Sequence, residues 1–178
     1  MKLIILDRDG VINYDSEHYI KSPAEWLPIP GSLEALAKLT QAGWTIAIAT
    51  NQSGIARGLY THEILADIHT KMQTLVVAAG GKIDSIFYCP HHPDEHCHCR
   101  KPQPGLLEQI AAHYAVSLAG IPFIGDRWTD VETALAVGCS PILVETSLIK
   151  AQIPVTEQKI PVFTNLLQAV NGLVKPHW

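Results

Sequence analysis

Two carboxylates directly after the first apolar segment could carry out metal-assisted chemistry. Residues 2–6 (KLIIL) run into the sequence Asp7-Arg8-Asp9-Gly10. An Ile- and Leu-rich run of this length is typical of a parallel strand that is buried on both faces. Open α/β sheets bind their ligands outside the carboxyl ends of the strands. Two Asp residues at such a position therefore indicate a nucleophile that works with a metal and a partner acid or base.

Three later segments place complementary groups where strands are predicted to end. They are Thr50, Asn51, Gln52 and Ser53 after the second strand, Arg100 and Lys101 after the third, and Asp126 and Asp130 after the fourth. In a doubly wound sheet these strand ends converge on one crevice. A carboxylate can attack phosphorus, a second can transfer protons, and a hydroxyl and an ammonium group can hold the phosphoryl oxygens. Magnesium, which prefers hard oxygen ligands, lets a carboxylate approach a phosphate. The residue types indicate phosphoryl transfer.

Strand-like and helix-like patterns alternate along the chain, which predicts an α/β fold with a doubly wound, Rossmann-like parallel sheet. The predicted strands cover about residues 2–7, 44–49, 83–88, 121–124 and 141–144, and the predicted helices about 31–42, 61–79, 105–114, 129–137 and 163–173. The segment between the first two strands holds one loop and one helix, whereas a separate cap domain needs about 50 residues or more. We therefore expect a single domain over residues 1–178, without a cap domain and with an open catalytic rim.

The composition argues against a nucleic-acid or membrane surface. The 178 residues are 17% charged and have a net charge of −4, with no block of Lys and Arg. Nucleic acids and anionic membranes need a basic patch. No apolar stretch reaches the roughly 20 residues of a membrane span, and the N-terminus has no signal-peptide pattern. We expect a cytoplasmic protein and, since nothing indicates an obligate partner, a monomer.

A loop rich in cysteine and histidine is the second chemical signal. Three of the four cysteines lie within residues 89–99, a clustering that indicates metal binding in a cytosolic chain. Structural zinc takes four nitrogen or sulfur ligands in a tetrahedron. The candidate ligands are Cys89, His91, Cys97 and Cys99, with His92, His96 and His98 as spare candidates. Four protein ligands close the metal shell, so we expect zinc to make this loop rigid and to position the Lys101 that follows it.

The strand-end motifs, taken in order, resemble those of the haloacid-dehalogenase-like phosphatases. The motifs are Asp7-Arg8-Asp9-Gly10-Val11, Thr50-Asn51-Gln52, Lys101-Pro102 and Gly125-Asp126 with Asp130. The resemblance implies that Asp7 is the nucleophile and that Asp9 is the general acid and base, with its main-chain carbonyl on Mg²⁺. It implies that Asp126 holds Mg²⁺ together with Asp7. Thr50 and Lys101 would bind the transferring phosphoryl group. Asp130 would either orient the metal site or be an ordinary carboxylate on a helix face.

Two small groups of this superfamily lack a cap and carry a Cys-x-His and Cys-x-Cys loop before the Lys. They are the heptose bisphosphate phosphatases and the histidinol-phosphate phosphatases. The chain resembles the first group more closely, in residues 50–58 (TNQSGIARG) and 100–105 (RKPQPG). The resemblance implies removal of the 7-phosphate of D-glycero-D-manno-heptose 1,7-bisphosphate, in the supply of heptose for lipopolysaccharide. Hydrolysis of histidinol phosphate is the alternative.

The expected substrate contacts are Asn51, Gln52, Ser53, Arg57 and Arg100, with the loop near residues 15–19 and Arg127 as further candidates. The arginines suit a substrate with two phosphates, because a guanidinium group binds phosphate through two hydrogen bonds. A rival of another class is a zinc-binding interaction module with vestigial carboxylates, in which Asp7→Asn would leave phosphatase activity unchanged. A nucleic-acid 3′-phosphatase shares the fold, but the negative net charge argues against it.

Overall fold

Strands and helices alternate along the parts of the chain that the structure, a computed structural model, describes: residues 1–146 and 159–174. The elements are β1 (Lys2–Leu6), α1 (Ser32–Gln41), β2 (Trp44–Asn51), α2 (His62–Ala78), β3 (Ser85–Cys89), α3 (Gly105–Tyr114), β4 (Pro122–Gly125), α4 (Trp128–Ala136), β5 (Ser140–Val144), β6 (Val162–Phe163) and α5 (Leu166–Leu173). Short 3₁₀ turns lie at Pro23–Glu25 and Pro93–Glu95. Among the described residues, none of the helices combines the length and the apolar character that crossing a membrane requires.

The described strands form one sheet in the order β3-β2-β1-β4-β5-β6, and every pair in it is parallel. Alternate residues of β1 enter two core layers, with Ile4 and Leu6 on one face and Leu3 and Ile5 on the other. Helices α1, α2 and α5 contribute to the first layer, and α3 and α4 contribute to the second. The predicted doubly wound parallel sheet is confirmed. The strand order reverses between β1 and β4, which is where such folds bind ligands.

The segment between β1 and α1 has no helix or strand beyond the 3₁₀ turn and isolated bridges, so no separately folded unit is inserted at this point of the chain. This loop is attached to the body of the protein by Lys71 of α2. Its Nζ donates to the main-chain oxygens of Pro23 (2.7 Å) and Trp26 (2.8 Å). The Trp26 side chain is fully buried. The loop therefore shapes the rim of the sheet without forming a second domain.

Element boundaries differ from prediction in two places that matter. β2 continues beyond its predicted end at residue 49 to Asn51, because Thr50 and Asn51 pair with Tyr88 and Cys89 of β3. Thr50 and Asn51 are therefore part of the sheet. The last helix does not begin at Phe163, which lies in β6 beside β5. It begins after Asn165, whose side chain accepts a hydrogen bond from the Gln168 main-chain nitrogen. A strand of two residues is too short to show alternation in the sequence.

Candidate active site

The predicted catalytic groups line one cavity of about 690 Å³ at the carboxyl ends of β1, β2 and β4. The predicted residues in its lining are Asp7, Asp9, Thr50, Asn51, Gln52, Ser53, Arg57, Arg100, Lys101, Arg127 and Asp130. Asp126 does not line the cavity, although it lies against Asp7 and Asp130. The parallel register brings these groups together, because it places the carboxyl ends of neighbouring strands side by side.

A group of three buried carboxylates could hold a cation. Each of Asp7, Asp126 and Asp130 offers an oxygen, and these oxygens lie within 4.8 Å of one another. Both Asp126 oxygens are buried without a hydrogen-bond partner among the described residues, an arrangement that is costly for a polar group unless something else binds it. Gly10 (φ +79°) makes room for this carboxylate, since a Cβ there would lie 2.1 Å from Asp126 Oδ2. Hard oxygen donors of this kind fit magnesium.

The electrostatics of these carboxylates also favour a cation. Burial raises the pKa of Asp126, and the nearby Asp7 and Asp130 raise it further. Burial likewise raises the pKa of Asp7, although Lys101 opposes this shift. Desolvation and like charge both disfavour the ionised form, whereas a bound divalent cation reverses that preference. A cation at Asp7 and Asp126 would therefore keep both groups ionised.

Asp130 holds Lys101 in place. Its Oδ1 accepts from Lys101 Nζ at 2.7 Å, while its Oδ2 accepts from the main-chain nitrogens of Asp126 and Arg127 at 3.2 Å each. Lys101 Nζ also donates to the main-chain oxygen of Ala49 (2.9 Å) and lies 3.0 Å from Asp7 Oδ1. Because both Asp130 oxygens already have donors, this carboxylate orients the site. It is not an ordinary helix-face group, since only 3% of the residue is exposed.

The Asp9 side chain is not part of this close group of carboxylates and binds other partners. Its Oδ1 accepts from Arg8 Nη2 and Asn13 Nδ2, each at 2.8 Å, and its Oδ2 accepts from Gln52 Nε2 at 2.9 Å. Burial acts to raise the pKa of Asp9, but the Arg8 charge and these hydrogen bonds outweigh burial and lower it. The contact of its main-chain carbonyl with a metal stays a prediction.

Two residues predicted to contact substrate already bind protein groups. Asn51 Nδ2 donates to the Lys101 main-chain oxygen (3.1 Å), and Asn51 Oδ1 accepts from the Lys101 main-chain nitrogen (3.0 Å). This pair of bonds fixes the loop after β3 to the end of β2. Gln52 is 3% exposed and uses its amide on Asp9, Thr50 and Tyr60. Their direct contacts with substrate stay predictions.

The rim of the cavity carries three guanidinium groups. Arg127 Nη2 donates to Asp15 Oδ2 at 2.5 Å, and the Arg57 guanidinium lies 5.7 Å from the centre of the Tyr19 ring. Arg100 has a buried Nη1 without a partner among the described residues. These groups hold positive charge beside the carboxylate cluster. The arrangement suits an anionic group on the substrate at some distance from the reacting one.

A buried ion-pair network behind Asp9 was missed from the sequence. Arg8 is fully buried, donates to Asp9 Oδ1, and has its Nη1 3.1 Å from His69 Nε2. Burial lowers the pKa of His69 to about 3, and the Arg8 charge adds to this effect. The ring is therefore neutral, so its Nε2 accepts from Arg8. The sequence feature that could have indicated this network is His69, a histidine on the apolar face of α2.

The Cys/His loop brings four candidate metal ligands together: Cys89, His91, Cys97 and Cys99. Cys89 Sγ lies 3.0 Å from Cys99 Sγ and 3.5 Å from both Cys97 Sγ and His91 Nδ1. A tetrahedral zinc site separates its sulfurs by about 3.8 Å, so a single ion fits with a small expansion. His91 completes this set. The spare histidines are engaged or exposed: His92 with Asp94, His98 with Glu108, and His96 at the surface.

Zinc removal is expected to destabilise the loop that carries Lys101. We expect Cys97→Ser to lower Tm by about 10 °C and to raise KM about tenfold, because a structural metal supplies folding energy. Zinc content, thermal unfolding and steady-state kinetics at saturating magnesium check this. The exposed His96→Ala serves as the matched control and should change none of them. Zinc-free protein with unaltered Tm and KM would refute a structural role.

Comparison with known proteins identifies the family. A family model described as polynucleotide kinase 3 phosphatase matches residues 2–132, and one described as HAD-hydrolase-like matches residues 98–168. A D-glycero-beta-D-manno-heptose-1,7-bisphosphate 7-phosphatase of Pseudomonas putida is 59% identical over 146 residues, which cover 82% of this chain and 83% of that protein. The chain belongs to this family of haloacid-dehalogenase-like phosphatases.

Other members of the heptose bisphosphate phosphatase family agree with this assignment. One from Neisseria meningitidis serogroup A is 44% identical over 170 residues, which cover 96% of this chain and 91% of that protein. A crystal structure of the Bordetella bronchiseptica enzyme, complexed with magnesium and phosphate, has a TM-score of 0.92 and 48% identity and covers 98% of this chain and 99% of that one. The predicted membership of the superfamily, and of its heptose group, is confirmed.

Proposed function

We propose that this protein is a magnesium-dependent phosphatase that removes the 7-phosphate of D-glycero-β-D-manno-heptose 1,7-bisphosphate. The observation that carries the proposal is the carboxylate of Asp126, which lies against Asp7 and has no hydrogen-bond partner among the described residues. Asp7 and Lys101 line the adjoining cavity, which carries guanidinium groups at its rim. Relatives at 56–59% identity bear the name of this activity. The related crystal structure contains both magnesium and phosphate.

In the first step, an Asp7 carboxylate oxygen attacks the phosphorus of the 7-phosphate. The bond between phosphorus and the sugar oxygen breaks, and that oxygen takes a proton from the Asp9 carboxyl group. The products are an aspartyl-phosphate and the sugar alcohol. Thr50 and Lys101 donate to the phosphoryl oxygens as their charge develops. A magnesium ion held by Asp7 and Asp126 would offset the repulsion between the carboxylate and the phosphate.

In the second step, water attacks the phosphorus of the aspartyl-phosphate and gives its proton to Asp9. The bond from phosphorus to the Asp7 oxygen breaks, which restores the carboxylate and releases inorganic phosphate. Asp9 thus regains in this step the proton that it gave to the leaving oxygen in the first. Its position beside the cavity, with 20% of its side chain exposed, allows it to reach both the leaving oxygen and the attacking water.

The rim arginines are proposed to bind the phosphate that stays on the sugar. Arg57 is exposed, while Arg100 has a buried Nη1 without a hydrogen-bond partner among the described residues. Both flank the cavity that contains Asp7. A guanidinium group can donate two parallel hydrogen bonds to one phosphate. A bisphosphate would therefore be held at both ends, which fixes the 7-phosphate in line with the nucleophile.

We also propose the setting in which the protein acts. The cysteines form no disulfide, and three of them share the candidate zinc site. Free thiols of this kind are typical of a reducing compartment, which supports action in the cytoplasm. The proposed product would enter the synthesis of nucleotide-activated heptose for lipopolysaccharide. A monomer with one domain over residues 1–178 stays a prediction.

Parallel turnover of two substrates tests the proposed function. With magnesium present, kcat/KM for heptose 1,7-bisphosphate should exceed that for histidinol phosphate by about 100-fold or more, because only the bisphosphate engages the rim arginines. Phosphate release measured side by side checks this expectation. Preference for histidinol phosphate would keep the chemistry but assign the protein to the alternative activity.

A further inference from the structure

A chain of buried hydrogen bonds links Tyr60 to the proposed acid and base. The Tyr60 hydroxyl donates to Gln52 Oε1 at 2.6 Å. Gln52 Nε2 in turn donates to Asp9 Oδ2 and to Thr50 Oγ1, each at 2.9 Å. Tyr60, Gln52 and Thr50 are 4%, 3% and 1% exposed. One amide group therefore sets the separation between the proton-transferring carboxylate and the hydroxyl proposed to bind the phosphoryl group.

The two oxygens of Asp9 are held in different ways. Oδ1 accepts from Arg8 and Asn13, which belong to the same turn as Asp9. Oδ2 accepts only from Gln52, at the end of the neighbouring strand, among the contacts of the described residues. The Gln52 amide thus adds to the bonds on Oδ1 the one donor that holds Oδ2 directly. A rotation of that amide would withdraw this donor.

Tyr60 can oppose such a rotation. Beside a charged Asp9, the Gln52 nitrogen must face the carboxylate. A half-turn of the amide would replace this nitrogen by Oε1 and leave Asp9 Oδ2 without its donor. The half-turn would also point the amide NH₂ group at Tyr60 and remove the acceptor of its buried O–H, which is costly. Burial raises the pKa of Tyr60 to about 12, so the hydroxyl keeps its proton.

The local sequence is built to admit the Tyr60 ring. A Cβ on Gly54 would lie 2.2 Å from Tyr60 Cε1 and 2.9 Å from its hydroxyl oxygen. The ring therefore occupies the space that any side chain at position 54 would need. Tyr60 directly precedes Thr61, the N-cap of α2. The start of that helix therefore fixes the position of the Tyr60 main chain, from which the ring extends. Tyr60 itself does not line the cavity.

We propose that Tyr60 is a positioning residue, which acts through the Gln52 amide to hold Asp9 in line for proton transfer in both steps. The inference rests on the proposed function and deepens it. It assigns a role to a side chain that contacts neither the cavity nor the carboxylate cluster. It also explains why the Gln52 amide is buried and fully bonded, although it lies beside a binding cavity.

Tyr60→Phe tests this proposal, because it removes one oxygen and keeps the ring. With heptose bisphosphate, kcat should fall by about 10- to 100-fold, the range expected for impaired acid–base catalysis, while KM stays within about twofold. With p-nitrophenyl phosphate, whose leaving group needs no acid, formation of the phosphoenzyme should be little affected. Hydrolysis of the phosphoenzyme still needs Asp9, so the fraction of enzyme that is phosphorylated at steady state should rise above the wild-type fraction. Acid quench followed by mass spectrometry measures this fraction.

Two further variants separate positioning from general damage. Tyr114→Phe removes a part-buried hydroxyl that bonds to Ser85 at 2.7 Å on another part of the fold, and should match wild type. In a Gln52→Leu background, Tyr60→Phe should change kcat by less than about twofold, because residues that act through a shared partner are not additive. Thermal unfolding of each variant shows whether the fold is retained.

The outcomes distinguish this proposal from the one on which it rests. Equal losses of kcat for both substrates, with an unchanged phosphoenzyme fraction, would overturn the role of Tyr60 alone. Additive effects of Tyr60→Phe and Gln52→Leu on kcat would also overturn the role of Tyr60 alone. A wild-type enzyme that forms no phosphoenzyme with either substrate would overturn the proposed mechanism and, with it, this inference.

Discussion

Asp7→Asn is expected to lower kcat by about 10⁴-fold or more, the scale of loss when a catalytic nucleophile is removed. The carboxamide cannot form an aspartyl-phosphate at a useful rate. It also removes one of the two charges proposed to hold magnesium. The change is nearly isosteric, and Lys101 keeps its bond to Asp130 at 2.7 Å. Phosphate release from heptose bisphosphate at saturating magnesium measures the effect.

The fold should survive this substitution. Asp7 lies in a group of three buried carboxylates, where burial and like charge raise its pKa. Removing one charge from such a group relieves repulsion, so Tm without magnesium should equal or exceed that of wild type. Asp67→Asn, at an exposed position on α2, is the matched control and should keep full activity. If Asp7→Asn turned over substrate within about tenfold of the wild-type rate, Asp7 would not be the nucleophile. That result would favour the interaction-module hypothesis.

Lys101→Met is expected to damage both turnover and stability. Lys101 is 4% exposed and lies between Asp7 and Asp130. Breaking a buried ion pair by removing one partner costs about 3–5 kcal/mol, because it leaves an uncompensated charge. Loss of the ammonium group should also lower kcat by about 10³-fold, since it withdraws a donor from the developing phosphoryl charge. Urea unfolding without magnesium and steady-state kinetics measure the two effects.

A second substitution separates these two effects of Lys101. Adding Asp130→Asn to Lys101→Met removes the unpaired carboxylate, so part of the lost free energy of unfolding should return while kcat stays low. Lys82→Met is the control, because the Lys82–Asp84 pair is at the surface, with 67% of the lysine side chain exposed. Such pairs contribute little to the free energy of unfolding, because solvent screens their charges. A Lys101→Met protein as stable as wild type would mean that the buried charges are balanced by another group.

Features encoded locally could be predicted from the sequence. The apolar run before Asp7 predicts a strand, because a strand that is buried on both faces is apolar at every position. Ile4 and Ile5 lie on opposite faces of β1, and both are buried. The strand-end motifs then fix the site, since parallel pairing brings strand ends together. The cluster of candidate zinc ligands could be predicted as well, because its residues are close in the sequence. The choice of His91 over three other histidines needed the folded geometry.

Specific pairs of side chains from distant segments could not be predicted. Asp15 and Arg127 pair across 112 positions, and Arg8 meets His69 across 61. Neither pair has a spacing or periodicity that marks it. The same is true of Asn51 and Gln52, whose residue types suit a substrate but whose amides bind Lys101, Asp9 and Tyr60 in the folded protein. Such assignments depend on which side chains the sheet brings into contact.

The most direct test of the central claim follows a labelled phosphate through one turnover. Heptose 1,7-bisphosphate with ³²P at C7 is mixed with excess enzyme and magnesium, quenched in acid over time and digested. The account predicts that the label first appears on the peptide containing Asp7 and then as inorganic phosphate, while the phosphate at C1 stays on the sugar. Release of the C1 phosphate, or inorganic phosphate formed without label on Asp7 at any time, would contradict it.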